Sequence, residues 1–191
     1  MNNTDTTVFI SDADQYVFGQ GTHYEIYKKL GSHFCKKGKE DGVFFAVWAP
    51  NAKEVYVIGE FNGWDEGAAP MERLGEGGIF ATFIKDVKEG QMYKYMLVLP
   101  DGRRLYKADP FANYAEMRPG TASRIYDLDH FKWTDKKWIA ERDKKDMNKE
   151  PMSIYECHIG SWMKHPDGTE DGFYNYREFA DRIVEYFKEM P

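Results

Sequence analysis

The sequence predicts a mainly β protein: a β-sandwich over residues 35–130, then a single strand-plus-helix unit over 153–191. Three observations carry this. Short apolar runs recur at close spacing between turn residues, which is the pattern of a sandwich. Aromatics make up 16% of the 191 residues, with thirteen Tyr, thirteen Phe and five Trp, and such residues favour strands. After residue 130 the pattern changes, first to alternating charge and then to a helical period.

The elements follow in order. Residues 1–34 form an amino-terminal segment, polar and expected to be disordered at its start. Tyr24, Tyr27 and Lys28 fall at helical spacing, which predicts a short helix from Tyr24 to Leu30 stopped by Gly31. Val43-Phe44-Phe45-Ala46-Val47-Trp48 is a dense apolar strand closed by Pro50-Asn51. Val55 to Ile58 is a second strand, Ile79 to Ile84 a third and Met92 to Leu99 a fourth. Asp101-Gly102 signals a hairpin, with Leu105-Tyr106 returning. Residues 131–152 alternate Lys and Arg with Asp and Glu, as a solvated linker or an exposed helix face does; Trp133 and Trp138 are expected to anchor it to a neighbouring surface.

Ser153 to Ile159 reads as a strand and 160–174 as a Gly- and His-containing loop. Phe179, Ile183, Phe187 and Met190 then mark one face of a helix. Asn175, three residues before Glu178, resembles a capping box. A lone strand and helix leave the strand's backbone groups without a partner. This favours the first unit of a truncated α/β fold over a strand that joins the sandwich.

Composition excludes several function classes. The net charge of −6 comes with no basic stripe, so nucleic acid is not an expected partner. No apolar run approaches the length of a membrane helix. The start, Met1-Asn2-Asn3-Thr4-Asp5, lacks a secretory signal. Cys35 and Cys157 read as reduced thiols of a cytoplasmic protein. No histidine lies in a metal-binding motif, and there is no nucleophile elbow or phosphate loop. Glu156 and His158 share a strand face, but such a pair is more often a satisfied polar cluster than an acid–base couple.

The most informative run is Phe61-Asn62-Gly63-Trp64. It follows the strand Val55–Ile58 and sets an indole on a turn, where a sugar's apolar face can stack on it. The competing reading is that Trp64 plugs the edge of the core. Trp64 and Tyr106 can form an aromatic platform, and Lys94 and Asn62 can hydrogen-bond sugar hydroxyls. Lys94 and Tyr106 can equally be ordinary surface residues, and Asn62 can serve only to shape the turn.

A series of motifs extends this reading. Leu30-Gly31-Ser32-His33 is followed by Phe45-Ala46-Val47-Trp48-Ala49-Pro50-Asn51-Ala52 and by Val57 to Trp64. Then come Tyr93-Lys94-Tyr95, Lys107-Ala108-Asp109-Pro110, Arg118 to Ser123, and Ser153-Ile154-Tyr155-Glu156-Cys157-His158-Ile159-Gly160-Ser161-Trp162. From about Phe18 to Met190, their order resembles the amino-terminal part of bacterial 1,4-α-glucan (glycogen) branching enzymes. The resemblance implies a family 48 carbohydrate-binding module of immunoglobulin-like β-sandwich form. It also implies an α-amylase-type (β/α)8 barrel, with residues 153–191 as its first strand and helix.

The family's catalytic Asp, Glu and second Asp lie on later barrel strands, so no residue here is assigned a catalytic role. No cofactor is implied. The implied partners are an α-glucan, glycogen or a maltooligosaccharide, and the rest of the barrel. Trp64 and Lys94 fall where related modules carry sugar-contacting residues, and Tyr106 where some carry a second Trp. A stand-alone glucan-binding module, a structural docking domain, or part of a debranching or trehalose-forming hydrolase are the alternatives.

Overall fold

The computed structural model describes residues 9–166 and 172–190. The expectations for residues 1–8, for 167–171 within the 160–174 loop and for Pro191 lie outside the described residues. The chain divides into two compact units, Met1–Lys132 and Trp133–Pro191, and each is taken by itself.

The first unit is a sandwich of two antiparallel sheets. One sheet has the order β1-β2-β5-β4, built from β1 (Gly31–Lys37), β2 (Glu40–Trp48), β5 (Ile79–Lys85) and β4 (Glu72–Leu74). The other runs β3-β6-β9-β8, from β3 (Glu54–Gly59), β6 (Met92–Val98), β9 (Ser123–Arg124) and β8 (Tyr114–Ala115), with β7 (Arg104–Lys107) also paired to β6. The strand period of two sorts the side chains. Val43, Phe45 and Val47 point into the sandwich and meet Val55 and Val57 of β3, Tyr93 and Tyr95 of β6, and Phe80 of β5. The rings of Phe45 and Tyr93 meet edge-on at 5.1 Å. Each such buried side chain stabilises the fold by roughly 1.5–3 kcal/mol.

The alternate residues of the first sheet point outward and are also apolar. Phe44, Ala46, Ile79 and Ala81 form a second cluster with Leu30, covered by Phe9, Ile10, Phe18 and Ile26. The cover is held by α1 (Asp12–Gly19), whose amino terminus carries a capping box between Ser11 and Asp14. The Asp14 carboxylate also accepts from His23 Nε2 at 3.0 Å and lies 3.4 Å from Lys29 Nζ. Partial burial opposes its ionisation, but the bonds from Ser11 and His23 and the Lys29 charge outweigh that and hold the carboxyl well below the usual carboxylate range.

Two expectations for this region change. The helix expected from Tyr24 to Leu30 is only a 3-10 turn, Ile26–Lys28. Gly31 does not stop a helix; it opens β1, four residues ahead of the expected sheet boundary at 35. It adopts φ 104° because a Cβ there would lie 2.9 Å from the Phe111 carbonyl oxygen.

Asp109 opens a turn closed by the Ala112 N–H at 3.2 Å from its carbonyl oxygen, and its side chain is buried. Its carboxylate accepts from Tyr93 Oη at 2.6 Å, Tyr95 Oη at 3.1 Å and the Phe111 N–H at 2.8 Å. Its own N–H donates to Ser123 Oγ at 2.8 Å. Burial pushes the carboxyl pKa up, and the hydrogen bonds only partly offset this. Tyr95 Oη also lies 3.4 Å from the Ala46 carbonyl oxygen, so this polar node reaches from the second sheet to the first.

The second unit holds three helices among the described residues: α2 (Lys136–Arg142), α3 (Ile159–Trp162) and α4 (Tyr176–Glu189). The charged stretch is therefore partly helical. Trp133 and Trp138 are mostly exposed within this unit, and the Trp138 ring lies 5.3 Å from the Arg142 guanidinium. α4 starts at the expected capping box, with Asn175 accepting from the Glu178 N–H at 3.1 Å and Glu178 accepting from the Asn175 N–H at 2.9 Å. Its apolar face receives two rings: Trp162 packs on Phe179 and Tyr186, and Tyr155 on Tyr186 and Phe187.

The strand expected over Ser153 to Ile159 forms no ladder among the described residues, and Ile159 instead opens α3. A strand is defined by its neighbour, and no described segment of this unit pairs with it. His158 and Glu156 do not bond to each other; His158 Nδ1 meets Ser161 Oγ at 3.2 Å. Both cysteines are unpaired thiols. Among the described residues no helix is long and apolar enough to cross a membrane, and no cluster of residues suits a metal ion.

Candidate functional site

The outer face of the second sheet is partly covered, with Ile58 and Met96 only 4% and 2% exposed, and around them it carries Lys94 and Tyr106, two of the residues singled out from sequence. Tyr93 and Tyr95 point inward, so Lys94 and Met96 of β6 point outward. Across the ladders Lys94 stands opposite Ile58 of β3, and Met96 opposite Tyr56 of β3 and Tyr106 of β7. Lys94 and Tyr106 are thus diagonal neighbours on one face, a spacing within reach of long side chains.

Trp64 stands on the turn that leaves β3, two residues before Glu66, which bonds to Tyr106 of this face. Gly59 ends the strand where a Cβ would meet the Met92 carbonyl oxygen at 2.5 Å, so only glycine fits that approach. Residues Glu60–Asn62 make one 3-10 turn. Asn62 then locks it: Oδ1 accepts from the Gly59 N–H and Nδ2 donates to the Val57 carbonyl, both at 2.9 Å. Gly63 and Trp64 follow with φ 63° and 61°. For a non-glycine residue this left-handed conformation costs about 1–2 kcal/mol. It persists only where the surroundings over-determine it. Here the Trp64 N–H donates to the Gly59 carbonyl at 2.8 Å. The indole remains 37% exposed, which argues against a simple core plug.

The loop after Trp64 is tied back onto the sheet. Glu66 accepts from the Tyr106 hydroxyl with one carboxylate oxygen and from the Arg104 guanidinium with the other. The hydrogen bond to Glu66 pushes the Tyr106 pKa up. Tyr106 is 47% exposed. Lys94 Nζ donates to Thr121 Oγ1 at 2.8 Å, which brings the 116–122 loop to the same face.

The four sequence-predicted residues therefore separate into roles. Lys94 and Tyr106 stand on one sheet face, and Trp64 lies on the turn that leads to Glu66, the hydrogen-bond partner of Tyr106. Asn62 is turned inward and shapes the turn. Glu66 and Thr121 were not signalled by sequence, because each acts through a partner 40 or 27 residues away. The surface is shallow and has no metal-binding cluster or acid–base couple among the described residues. It offers aromatic surface and hydrogen-bond donors.

Residues 29–112 match the model of carbohydrate-binding module 48 (isoamylase N-terminal domain). The chain is 63% identical over 183 residues to a 1,4-alpha-glucan branching enzyme of Butyrivibrio fibrisolvens, covering 96% of this chain and 29% of that protein. It is 46% identical over 180 residues to the enzyme of Halothermothrix orenii, covering 94% and 28% respectively. It is 42% identical over 179 residues to that of Bacillus caldolyticus, covering 94% and 26%. The chain thus spans less than a third of the length of these relatives. Residues 29–112, which make up most of the β-sandwich, thus match carbohydrate-binding module 48, within a chain that matches the amino-terminal region of 1,4-alpha-glucan branching enzymes.

Proposed function

We propose that this chain supplies α-glucan binding to a 1,4-α-glucan branching enzyme, through the outer face of the second sheet. Trp64 is the platform, Tyr106 the second ring and Lys94 the hydrogen-bond donor, while Asn62 holds the turn that presents Trp64. The observation that carries this is the strained, over-determined turn that keeps an indole partly exposed. Strain of this kind is maintained where display of a side chain matters. The branching reaction would cleave an α-1,4 bond, hold the glycosyl group on a carboxylate and transfer it to a 6-hydroxyl, in glycogen synthesis. That retaining chemistry uses two carboxylates placed across the sugar bond; no such pair is assigned to this chain, whose role is to hold the polymer. Two unpaired cysteines are consistent with a cytoplasmic setting.

A second reading, a docking role, is favoured by one observation: Ile154 is 85% exposed and Phe187 46% exposed in the second unit. The partner would be the remainder of a barrel.

The test is native gel migration through glycogen for the chain and its Trp64→Ala form. Retardation of the unsubstituted chain, lost in Trp64→Ala, is expected. Equal mobility of both forms, with or without glycogen, would leave docking as the function.

A further inference from the structure

The same face continues past Lys94 to a residue pair outside the stretch matched by the family model. Arg124 points outward because its chain neighbours Ser123 and Ile125 are buried. In the ladder it stands between Met92 of β6 and Tyr114 of β8. Met92 precedes Lys94 by two residues on β6, so Arg124 and Lys94 are diagonal neighbours on one face, a spacing of roughly 7–8 Å.

The guanidinium of Arg124 is held but not neutralised. It lies 5.8 Å from the centroid of the Tyr114 ring. Among the described residues no carboxylate forms an ion pair with it, and its buried Nε has no acceptor. In a chain with 32 acidic residues against 26 basic ones, an anchored guanidinium without a counter-charge is unexpected. Buried donors are normally paired, and an orphan calls for an explanation. A guanidinium offers a planar fork of five donors, suited to a pair of adjacent oxygen acceptors. Beside it Tyr114 is 49% exposed, and its ring packs 5.4 Å from Tyr126.

We propose that Arg124 and Tyr114 form a second α-glucan contact that extends the Trp64–Lys94–Tyr106 face across β9 to β8. The guanidinium donates to sugar hydroxyl oxygens, and the Tyr114 ring takes the apolar face of a sugar further along the chain. The proposal rests on the glucan-binding reading above. It adds that affinity depends on glucan length, because a short oligosaccharide occupies only one end of the face.

The experiment titrates the full 191-residue chain with maltotriose and with maltoheptaose by calorimetry. Arg124→Gln and Tyr114→Ala are each expected to weaken maltoheptaose by about 3- to 10-fold, the loss of one charge-assisted or stacking contact. Maltotriose binding is expected to stay within about twofold. Tyr114→Phe keeps the ring and should match the unsubstituted chain. Arg124→Lys keeps the charge without the fork and should fall between, which covers the case in which Arg124→Gln folds poorly. Unchanged maltoheptaose binding in Arg124→Gln and Tyr114→Ala, with loss in Trp64→Ala, overturns the second contact and leaves the first reading standing. Equal weakening of both sugars with a lowered thermal midpoint makes Arg124 structural and also overturns it. Failure of the unsubstituted chain to bind either sugar overturns both.

Discussion

The two outer faces of the sandwich are built from the same strands-and-ladders geometry yet meet opposite fates. On the first sheet, Phe44, Ala46, Ile79 and Ala81 face outward and are sealed by residues from Phe9 to Leu30. On the second, Lys94, Tyr106 and Arg124 face outward and stay open. An antiparallel sheet can leave one face to water only if that face is polar enough. The alternation along each strand therefore decides which face is structural and which is free to bind. The cover itself is fastened by charge and capping at Ser11, Asp14, His23 and Lys29, whereas the open face spends its hydrogen bonds on aiming side chains.

Substitutions on the two faces should therefore differ in kind. The largest effect is expected for Phe44→Asp, which places a charge under the cover and removes a buried ring. It should cost about 3–5 kcal/mol or more, read as a fall in the urea midpoint. A midpoint shift under 1 kcal/mol would mean that the cover is not part of the core.

A smaller effect is expected for Asp14→Asn, about 1–2 kcal/mol at neutral pH, since the box and its charged partners are lost. The sign with pH follows from the lowered carboxyl pKa. The stabilisation is complete above the ordinary 3.8 and is lost as pH falls from there through the folded value. The stability gap between the two proteins should close on acidification, and a gap that widens instead would exclude this fastening. The smallest stability effect, within about 0.5 kcal/mol, is expected for Lys94→Ala, measured by the same unfolding curves. A large loss there would turn the open face into a structural one.

How far these differences were legible beforehand varies by element. Dense apolar runs revealed β2, β3, β5 and β6, and the Asp101-Gly102 turn revealed β7. The short strands β4, β8 and β9 have two or three residues each; β4 and β9 form against longer strands and β8 against β9. The cover was hidden for a related reason. α1 buries none of its own residues, and the packing is done by Phe9 and Ile10 before it and Phe18 near its end, so no helical stripe appears. Trp64 was visible because Phe61-Asn62-Gly63-Trp64 is a local signal. Glu66, Thr121 and Arg124 were not, because their meaning arises from ladder register and from partners distant in sequence. The strand expected over Ser153 to Ile159 shows the converse: a local pattern without a neighbour to pair with does not become a strand.

The buried node at Asp109 has a mechanical consequence. Apolar layers can slip past one another at little cost, since their attraction has no direction. Asp109 binds Tyr93, Tyr95 and Ser123 of the second sheet, and Tyr95 touches the Ala46 carbonyl of the first. Directional bonds of this kind act as a registry pin between the layers. The slab behind Lys94 and Tyr106 is thereby stiff, and the spacing of the side chains it carries is set by the fold itself.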